Sequence, residues 1–387
     1  MVKRQYWLSK IESAWQKRSI LWLSGVRRVG KTFLSKSMPE TEYFDCELPR
    51  VRSMLDDPQS FLEDLRNRRV IFDEIHRLNN PSQLLKIASD HFPDIKVLAT
   101  GSSTLGASTK FKDTLMGRKI DVWLTPIMSL DLKDFNRVNL KHRFLHGGLP
   151  PFFVTDEIPE KDFQEWIDAY WAKDIQELFR LERRHSFQKF VELLLAQSGG
   201  IFEATSFAKP CEVSRSSIIN YLKALELTFV VNIIRPFSSR RTTEIIAAPK
   251  VYGFDTGFVC YFRGWHELRQ QDLGHLWEHY VLNELHANLQ TRQIYYWRDK
   301  RGHEIDFIIA RRGSHPTAIE CKWSSQDFDP ANLKAFWKQY PKSTIFIVSN
   351  DVDRAFTKEV NGMKVRFISL LDLVQHLLTN NLRTNIP

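Results

Sequence analysis

Cysteine is scarce in this chain of 387 residues. Cys46, Cys211, Cys260 and Cys321 stand far apart, with no CxxC pair and no His-Cys cluster. That spacing argues against a zinc site or a disulfide framework and fits a reducing cytoplasm. Long apolar runs are also missing. Nothing approaches the ~18 apolar residues of a membrane-crossing helix, so no membrane partner is expected. Met1-Val2-Lys3-Arg4-Gln5-Tyr6-Trp7 holds no stretch that reads as a signal peptide. There are no internal repeats, heptads or low-complexity segments. The eleven tryptophans are spread along the chain and read as core and interface anchors. What remains is an ordinary globular composition, 43% hydrophobic, with room for two or three domains. Lys and Arg total 55 against 46 Asp and Glu, and the net charge of +9 favours a polyanionic partner without demanding one.

The strongest local signal is Gly25-Val26-Arg27-Arg28-Val29-Gly30-Lys31-Thr32, which fits GxxxxGK[ST] at every fixed position. The apolar run Ile20-Leu21-Trp22-Leu23 precedes it and a helical stretch follows, the context a phosphate loop requires. The glycines let backbone amides turn toward a phosphate. Lys31 would reach the β- and γ-phosphates of ATP, and Thr32 would hold Mg²⁺. Val70-Ile71-Phe72-Asp73-Glu74 reads as a parallel strand ending in two carboxylates. Asp73 would hold the Mg²⁺ through water, and Glu74 would polarise the attacking water. A third strand, Lys96 to Thr100, ends in Gly101-Ser102-Ser103; Thr100 or Ser102 is the candidate sensor of the γ-phosphate, a capped turn being the alternative.

Strand candidates at 20–24, 42–45, 70–73, 97–100 and 120–124 alternate with helical stretches. They predict an α/β domain whose parallel sheet has helices on both faces. Helical patterning resumes from Phe163 to Phe179. From about 185 to 247 the pattern is a small helical unit and then a hairpin. In the helix beginning at Val213, Ile218, Ile219, Leu222 and Leu225 share one face, and Ser214 can cap the start. Arg215, Asn220 and Lys223 fall off that face, and Arg240 and Arg241 lie in the following turn. Helices, recognition helix and basic hairpin resemble a winged helix, used either on DNA or only for protein packing.

The tail carries a second constellation. Glu278 falls on an apolar helix stripe with Val281, Leu282 and Leu285, a costly place for a carboxylate unless it is paired or holds a metal. In the strand Glu304–Ile309, alternation puts Glu304 and Asp306 on one face and Ile305, Phe307 and Ile309 on the other. In Ala318–Trp323, Glu320 and Lys322 share a face opposite Ile319, Cys321 and Trp323. Two adjacent strands would bring Asp306, Glu320 and Lys322 into one cleft, with Glu278 beside it. Hard oxygen ligands suit Mg²⁺ or Mn²⁺. A salt-bridged network without metal is the alternative.

Together these motifs resemble bacterial and archaeal AAA+-type ATPases with a C-terminal restriction-endonuclease-like domain of uncharacterised function. Beside the residues above, the resemblance rests on Leu115-Met116-Gly117-Arg118, Gly147-Gly148-Leu149-Pro150, the run Pro249 to Gly257, Tyr296-Trp297-Arg298-Asp299 and Gly302-His303-Glu304-Ile305-Asp306. It implies an ATPase domain over 1–150, a helical and winged-helix module over 151–252, and a restriction-endonuclease-like α/β domain over 253–387. It implies a homo-oligomer, with a hexamer as one form, in which Arg118 is either an arginine finger toward a neighbour or a plain surface arginine. The family's Arg-Asp after the Gly-Gly-Pro loop is here Lys173-Asp174, and lysine lacks arginine's bidentate fork. Two functions compete. One is ATP-driven action on DNA with a metal-dependent nuclease site in the tail. The other is a nucleotide-dependent switch or scaffold whose tail is an inactive platform.

Overall fold

In the computed structural model, which describes residues 2–101, 109–176, 179, 181, 183–238, 248–311 and 314–383, the five predicted N-terminal strands form one sheet. They are β1 (Ile20–Ser24), β2 (Thr41–Asp45), β3 (Arg69–Asp73), β4 (Lys96–Thr100) and β5 (Lys119–Trp123). All are parallel, in the order β2-β3-β4-β1-β5. Strand β1 is buried on both faces, as expected of a strand covered by helices. Leu21 and Leu23 enter one core with Ile71, Leu98 and Val122. Ile20 and Trp22 enter the other with Val70, Phe72 and Val97. The helix Gln5–Trp15, which the sequence reading did not assign, lays Trp7, Ile11 and Trp15 on the first core.

A second sheet begins in the middle of the chain. Its strands are β6 (Gly200–Ile201), β7 (Val231–Pro236), β8 (Lys250–Gly253), β9 (Tyr295–Arg298), β10 (Glu304–Ile309), β11 (Thr317–Lys322), β12 (Thr344–Ser349), β13 (Phe356–Val360) and β14 (Met363–Ile368). Their order is β13-β14-β12-β11-β10-β9-β7-β8-β6. The parallel pairing of β7 with β9 makes this sheet continuous across the point, 252/253, where the sequence suggests a boundary.

The helix Arg215–Leu227 starts at Ser214, whose side chain accepts a hydrogen bond from Ser217 N. Ile218, Leu222 and Leu225 are buried as predicted. Ile219 is not; it is 42% exposed, and Tyr221 and Ala224 complete the buried face instead. The buried face runs at 3.6 residues per turn from Ile218 through Tyr221 and Leu222 to Ala224 and Leu225, and Ile219 lies off its edge. The predicted helix Phe163–Phe179 also differs. The α-helix Glu160–Tyr170 passes into a π-helical turn at Trp171–Gln176.

Candidate functional site

The loop after β1 has the backbone its sequence demands. Gly25 sits at φ +147°, and a Cβ there would lie 2.4 Å from Leu124 O, so only glycine fits. Gly30, at φ +102°, leads into the helix Lys31–Lys36. The Lys31 ammonium donates to Gly25 O at 2.9 Å and Val26 O at 3.3 Å, folded over the loop's own carbonyls. Burial lowers its pKa, against the opposing pull of Glu74, Asp174 and Asp73. Arg4 fixes the far end of the loop. It is buried, donates to Val29 O at 3.3 Å and Thr125 O at 2.9 Å, and pairs with Asp131.

Beneath the loop, both oxygens of Asp73 are engaged, one by the Tyr43 hydroxyl at 2.6 Å and the other by the Thr100 hydroxyl. Thr100 Oγ1 also accepts from Glu74 N at 3.1 Å. For Thr100, one of the two candidate sensors, these contacts describe a supporting position. Its side chain is fully buried and orients Asp73 and Glu74, while Gly101 faces the cavity. Ser102 lies outside the described residues. Glu74 takes a left-handed backbone, φ 52°, and its carboxylate faces His76 Nδ1 at 3.1 Å. Burial works to raise the Glu74 pKa, but the His76 hydrogen bond and the Lys31 and Arg27 charges prevail and hold it low.

The loop, Glu74 and His76 open on a cavity of about 1130 Å³ that reaches well beyond the first domain. Gly25, Arg27, Arg28, Gly30, Lys31, Thr32 and Glu74 line one side, and Pro150, Tyr170, Lys173 and Asp174 line the other. The Arg27 guanidinium meets Asp174 at 3.1 Å, and Trp166 Nε1 donates to Arg27 O at 3.1 Å. The Lys173-Asp174 pair thus belongs to the nucleotide cavity, with Asp174 rather than Lys173 making the clamp. Arg118 does not reach this cavity; it holds Asp90 at 2.6 and 3.1 Å.

The tail carboxylates come together, but not as the sequence predicts. Against β9 the register of β10 shifts between Ile305 and Ile308. Ile305 and Ile308 therefore enter one core, and Phe307 and Ile309 the other, so Ile305 does not share their face. Such a bulge re-aims a side chain. Asp306 Oδ2 here accepts from Cys321 N on β11 at 2.7 Å. Glu320 Oε1 accepts from Lys322 at 2.9 Å, while the buried Glu320 Oε2 has no partner among the described residues. Glu278, on the helix Gln270–Leu289, accepts from the Tyr252 hydroxyl and lies 3.7 Å from Lys250. Burial, then Glu278, pushes Asp306 up to about 7. Burial, then Asp306, pushes Glu320 up to about 8. Glu278 is raised chiefly by burial, against Lys250 and Tyr252. Lys322 is raised as Glu320 and Asp306 outweigh its burial. As they stand, the three carboxylates of the expected metal site are not poised around one ion. Among the described residues no group of three His, Cys, Asp or Glu is arranged to hold a metal ion, because Glu278 is turned to Tyr252 and Lys250 and Asp306 to a backbone amide. Sequence reasoning missed Arg4, Tyr43, His76, Lys250 and Tyr252; only Lys250 and Tyr252 lay in a motif it had marked.

Residues 17–132 match the profile of an AAA domain. Residues 137–269 and 273–368 match two domains of unknown function, DUF8612 and DUF4143. An uncharacterized protein of Mycobacterium bovis is 27% identical over 338 residues, 84% of this chain and 75% of its own length, and one of Mycobacterium tuberculosis matches equally. Among solved structures, a Walker-type ATPase of Pyrococcus abyssi aligns at TM-score 0.44 and 17% identity, covering 68% of this chain and 96% of its own. A signal-transduction ATPase with a tetratricopeptide-repeat sensor from Pyrococcus horikoshii aligns at TM-score 0.29 and 14% identity, covering 74% and 47%. The phosphate loop, the Asp73-Glu74 strand and the AAA match together support an AAA-type P-loop ATPase domain over residues 17–132, which implies a nucleotide as its ligand. No described helix is long and apolar enough to cross a membrane.

Proposed function

We propose that this ATPase acts on DNA and that its C-terminal carboxylate cluster is a metal-dependent phosphodiester-cleaving site. One observation supports this above the others. Among the described residues Glu320 Oε2 is buried without a donor beside Asp306 and Lys322, and a carboxylate oxygen so placed is stabilised by a cation. The residues fit a hard divalent ion, Mg²⁺ or Mn²⁺: Asp306 and Glu320 would hold it, joined by Glu278 once that side chain turns. Such an ion supplies charge neutralisation and a more acidic water. Lys322 would orient that water, and Asp306, held by Cys321 N, would keep its free oxygen toward the phosphate.

At the nucleotide site Thr32 and Asp73 would hold Mg²⁺, Lys31 would leave its loop carbonyls for the phosphates, and Glu74 would polarise the attacking water. Glu74→Gln should bind ATP and hydrolyse it far more slowly. Equal turnover would remove Glu74 from the role. Self-association, with a hexamer as the expected form, would carry Arg118 from Asp90 to a neighbour's cavity. Mass measurement with ATP and Glu74→Gln tests this, and a monomer alone would end it.

The three-part division at 150 and 252 belongs to the same reading. Helix Arg184–Ala196, β6, helices Ala204–Ala208 and Arg215–Leu227, and the antiparallel β7 and β8 run in the order of a winged helix. Arg215, Asn220 and Lys223 are exposed for DNA; Arg240 and Arg241 lie outside the described residues. Replacing the four basic residues with Ala should weaken DNA binding and flatten its salt dependence. The four cysteines, free among the described residues, fit a cytoplasmic setting.

The switch-or-scaffold reading has its own support: Lys250 and Lys322 already neutralise part of the cluster. Incubating the full chain and Asp306→Asn with branched, single-stranded and duplex DNA decides between them, with Mg²⁺ or Mn²⁺, with and without ATP. Cleavage lost in Asp306→Asn supports the nuclease. Binding without cleavage in any condition supports the platform.

A further inference from the structure

Lys250 is the first residue of β8 and lies outside the strands and helix that carry the C-terminal site. Its side chain is buried, 7% exposed, and the ammonium pairs with Glu304 and lies 3.7 Å from Glu278 Oε1. It sits over the rings of Tyr252 and Tyr296, 5.9 and 5.6 Å from their centroids, a cation–π setting that fixes its position. Tyr252 presents its hydroxyl to the same Glu278 oxygen. Glu278 is thereby turned to Lys250, while the second oxygen of Glu320 has no donor among the described residues. One oxygen of Glu278 thus has both a hydroxyl and an ammonium beside it, while one oxygen of Glu320 has neither among the described residues.

We propose that Lys250 is the built-in counter-ion of the C-terminal site: it competes with a divalent cation for Glu278, and the site's affinity for that cation is set by how firmly Lys250 holds. This rests on the metal reading of the cluster and adds a positioning residue to it. The chemistry is a charge exchange. An ammonium cannot chelate, so it gathers Glu278 and Glu304 without satisfying Glu320. A divalent ion between Asp306 and Glu320 gains Glu278 only when that carboxylate leaves Lys250 and Tyr252. Removing the ammonium does not strand its partners, since Glu304 keeps Arg298 at 3.4 Å and Glu278 keeps Tyr252.

The test is Mn²⁺ binding to the nucleotide-free full chain, read by the resonance of free Mn²⁺, with circular dichroism checking the fold. Four proteins are compared: wild type, Lys250→Met, Glu320→Gln and the Lys250→Met/Glu320→Gln pair. Lys250→Met should tighten binding by about tenfold or more, the scale of removing one unit charge at ion-pair distance from a ligand. Glu320→Gln should cancel that gain. If wild type and Lys250→Met bind within twofold of each other, and Glu320→Gln weakens both, the metal reading stands and the Lys250 inference fails. If no protein binds Mn²⁺ more tightly than Glu320→Gln does, both fail. Should Lys250→Met not fold, Lys250→Gln removes the same charge while keeping a polar end toward Glu278 and Glu304, and is held to the same criterion.

Discussion

Thr100 and Asp174 mark the limit of what single residues disclose before the chain is folded. Thr100 was legible as a polar residue at a strand tip, but its neighbours were not, and those decide its role. Its hydroxyl serves Asp73 and Glu74 N at once. Thr100→Val should therefore lower ATP turnover by roughly ten- to a hundredfold, as loss of a supporting hydrogen bond commonly does. Nucleotide affinity should change little. A Kd that weakens in step with kcat would mean Thr100 touches the nucleotide after all. Asp174 stands far from Arg27 in sequence, and no local spacing announces their contact. The phosphate loop, by contrast, was readable because each fixed position answers a backbone constraint, as Gly25 shows against Leu124 O. The tail carboxylates give a pH prediction. Asp306 near 7 and Glu320 near 8 lie above their ordinary values. Raised carboxyl pKa values mean the fold prefers the protonated forms. Their stability contribution is full below about pH 4 and is lost as pH rises through 7 and 8. Melting in EDTA should show wild type losing on the order of a few kcal/mol across that window, and Asp306→Asn losing less. Parallel pH profiles for the two proteins would rule the Asp306 titration out.

Two glycines give opposite predictions for whole elements. Gly274 lies inside the helix Gln270–Leu289 with nothing within 4 Å of an added Cβ. Gly274→Ala should stabilise by roughly 0.5–1 kcal/mol, the ordinary helix preference. Gly257 lies in the first turn of the helix Thr256–Arg263, where the same preference would apply. There an added Cβ would meet Gly147 N at 2.6 Å. The approach is fixed by Asp255, which accepts from Gly148 N at 2.6 Å and Gly257 N at 2.9 Å and pairs with the buried Arg143 at 3.4 Å. Gly257→Ala should cost about 2 kcal/mol or more, since backbone cannot yield as a side chain does. If calorimetry finds both variants more stable, the junction is looser than its distances indicate. The Gly147–Pro150 and Asp255–Gly257 motifs were legible as marked positions, yet only the fold shows that they bind each other. Strand patterning was legible in β1, β3 and β4 because each is buried on both faces, and in the half-buried edge strands β2 and β5 because they alternate with helical stretches. It misled in β10, where a bulge breaks the alternation at a place no residue type announces.

At the scale of the molecule, the nucleotide cavity is not the property of the AAA match alone. One apolar core runs from Trp7 through Leu21, Trp166 and Phe190 to Phe258. The helix Gln270–Leu289 is tied at its far end to the segments flanking the first sheet. Glu284 accepts from Ser129 N, Asn283 donates to Pro126 O at 3.3 Å, and Asn288 accepts from Tyr6 at 3.0 Å. Just beyond it, Gln290 exchanges hydrogen bonds with both backbone groups of Trp123, at 2.8 and 3.0 Å, as a neighbouring strand would. A chain ending at residue 150 would keep the phosphate loop and the Asp73-Glu74 strand. It would lose Tyr170, Lys173 and Asp174 from the cavity, the Asp174 partner of Arg27, and the part of the shared core that Phe152, Phe163, Trp166 and Phe190 supply. Its uncovered core would exceed the apolar patch a soluble monomer ordinarily shows. The fragment should therefore bind a hydrophobic dye, melt well below the full chain, and hold ADP at least about tenfold more weakly, the scale of one lost charge-assisted contact. Calorimetric titration of both proteins with ADP measures this. A fragment with the full chain's affinity and a sharp melt would make the AAA unit self-sufficient, and the clamp from Asp174 would then be packing rather than part of nucleotide recognition.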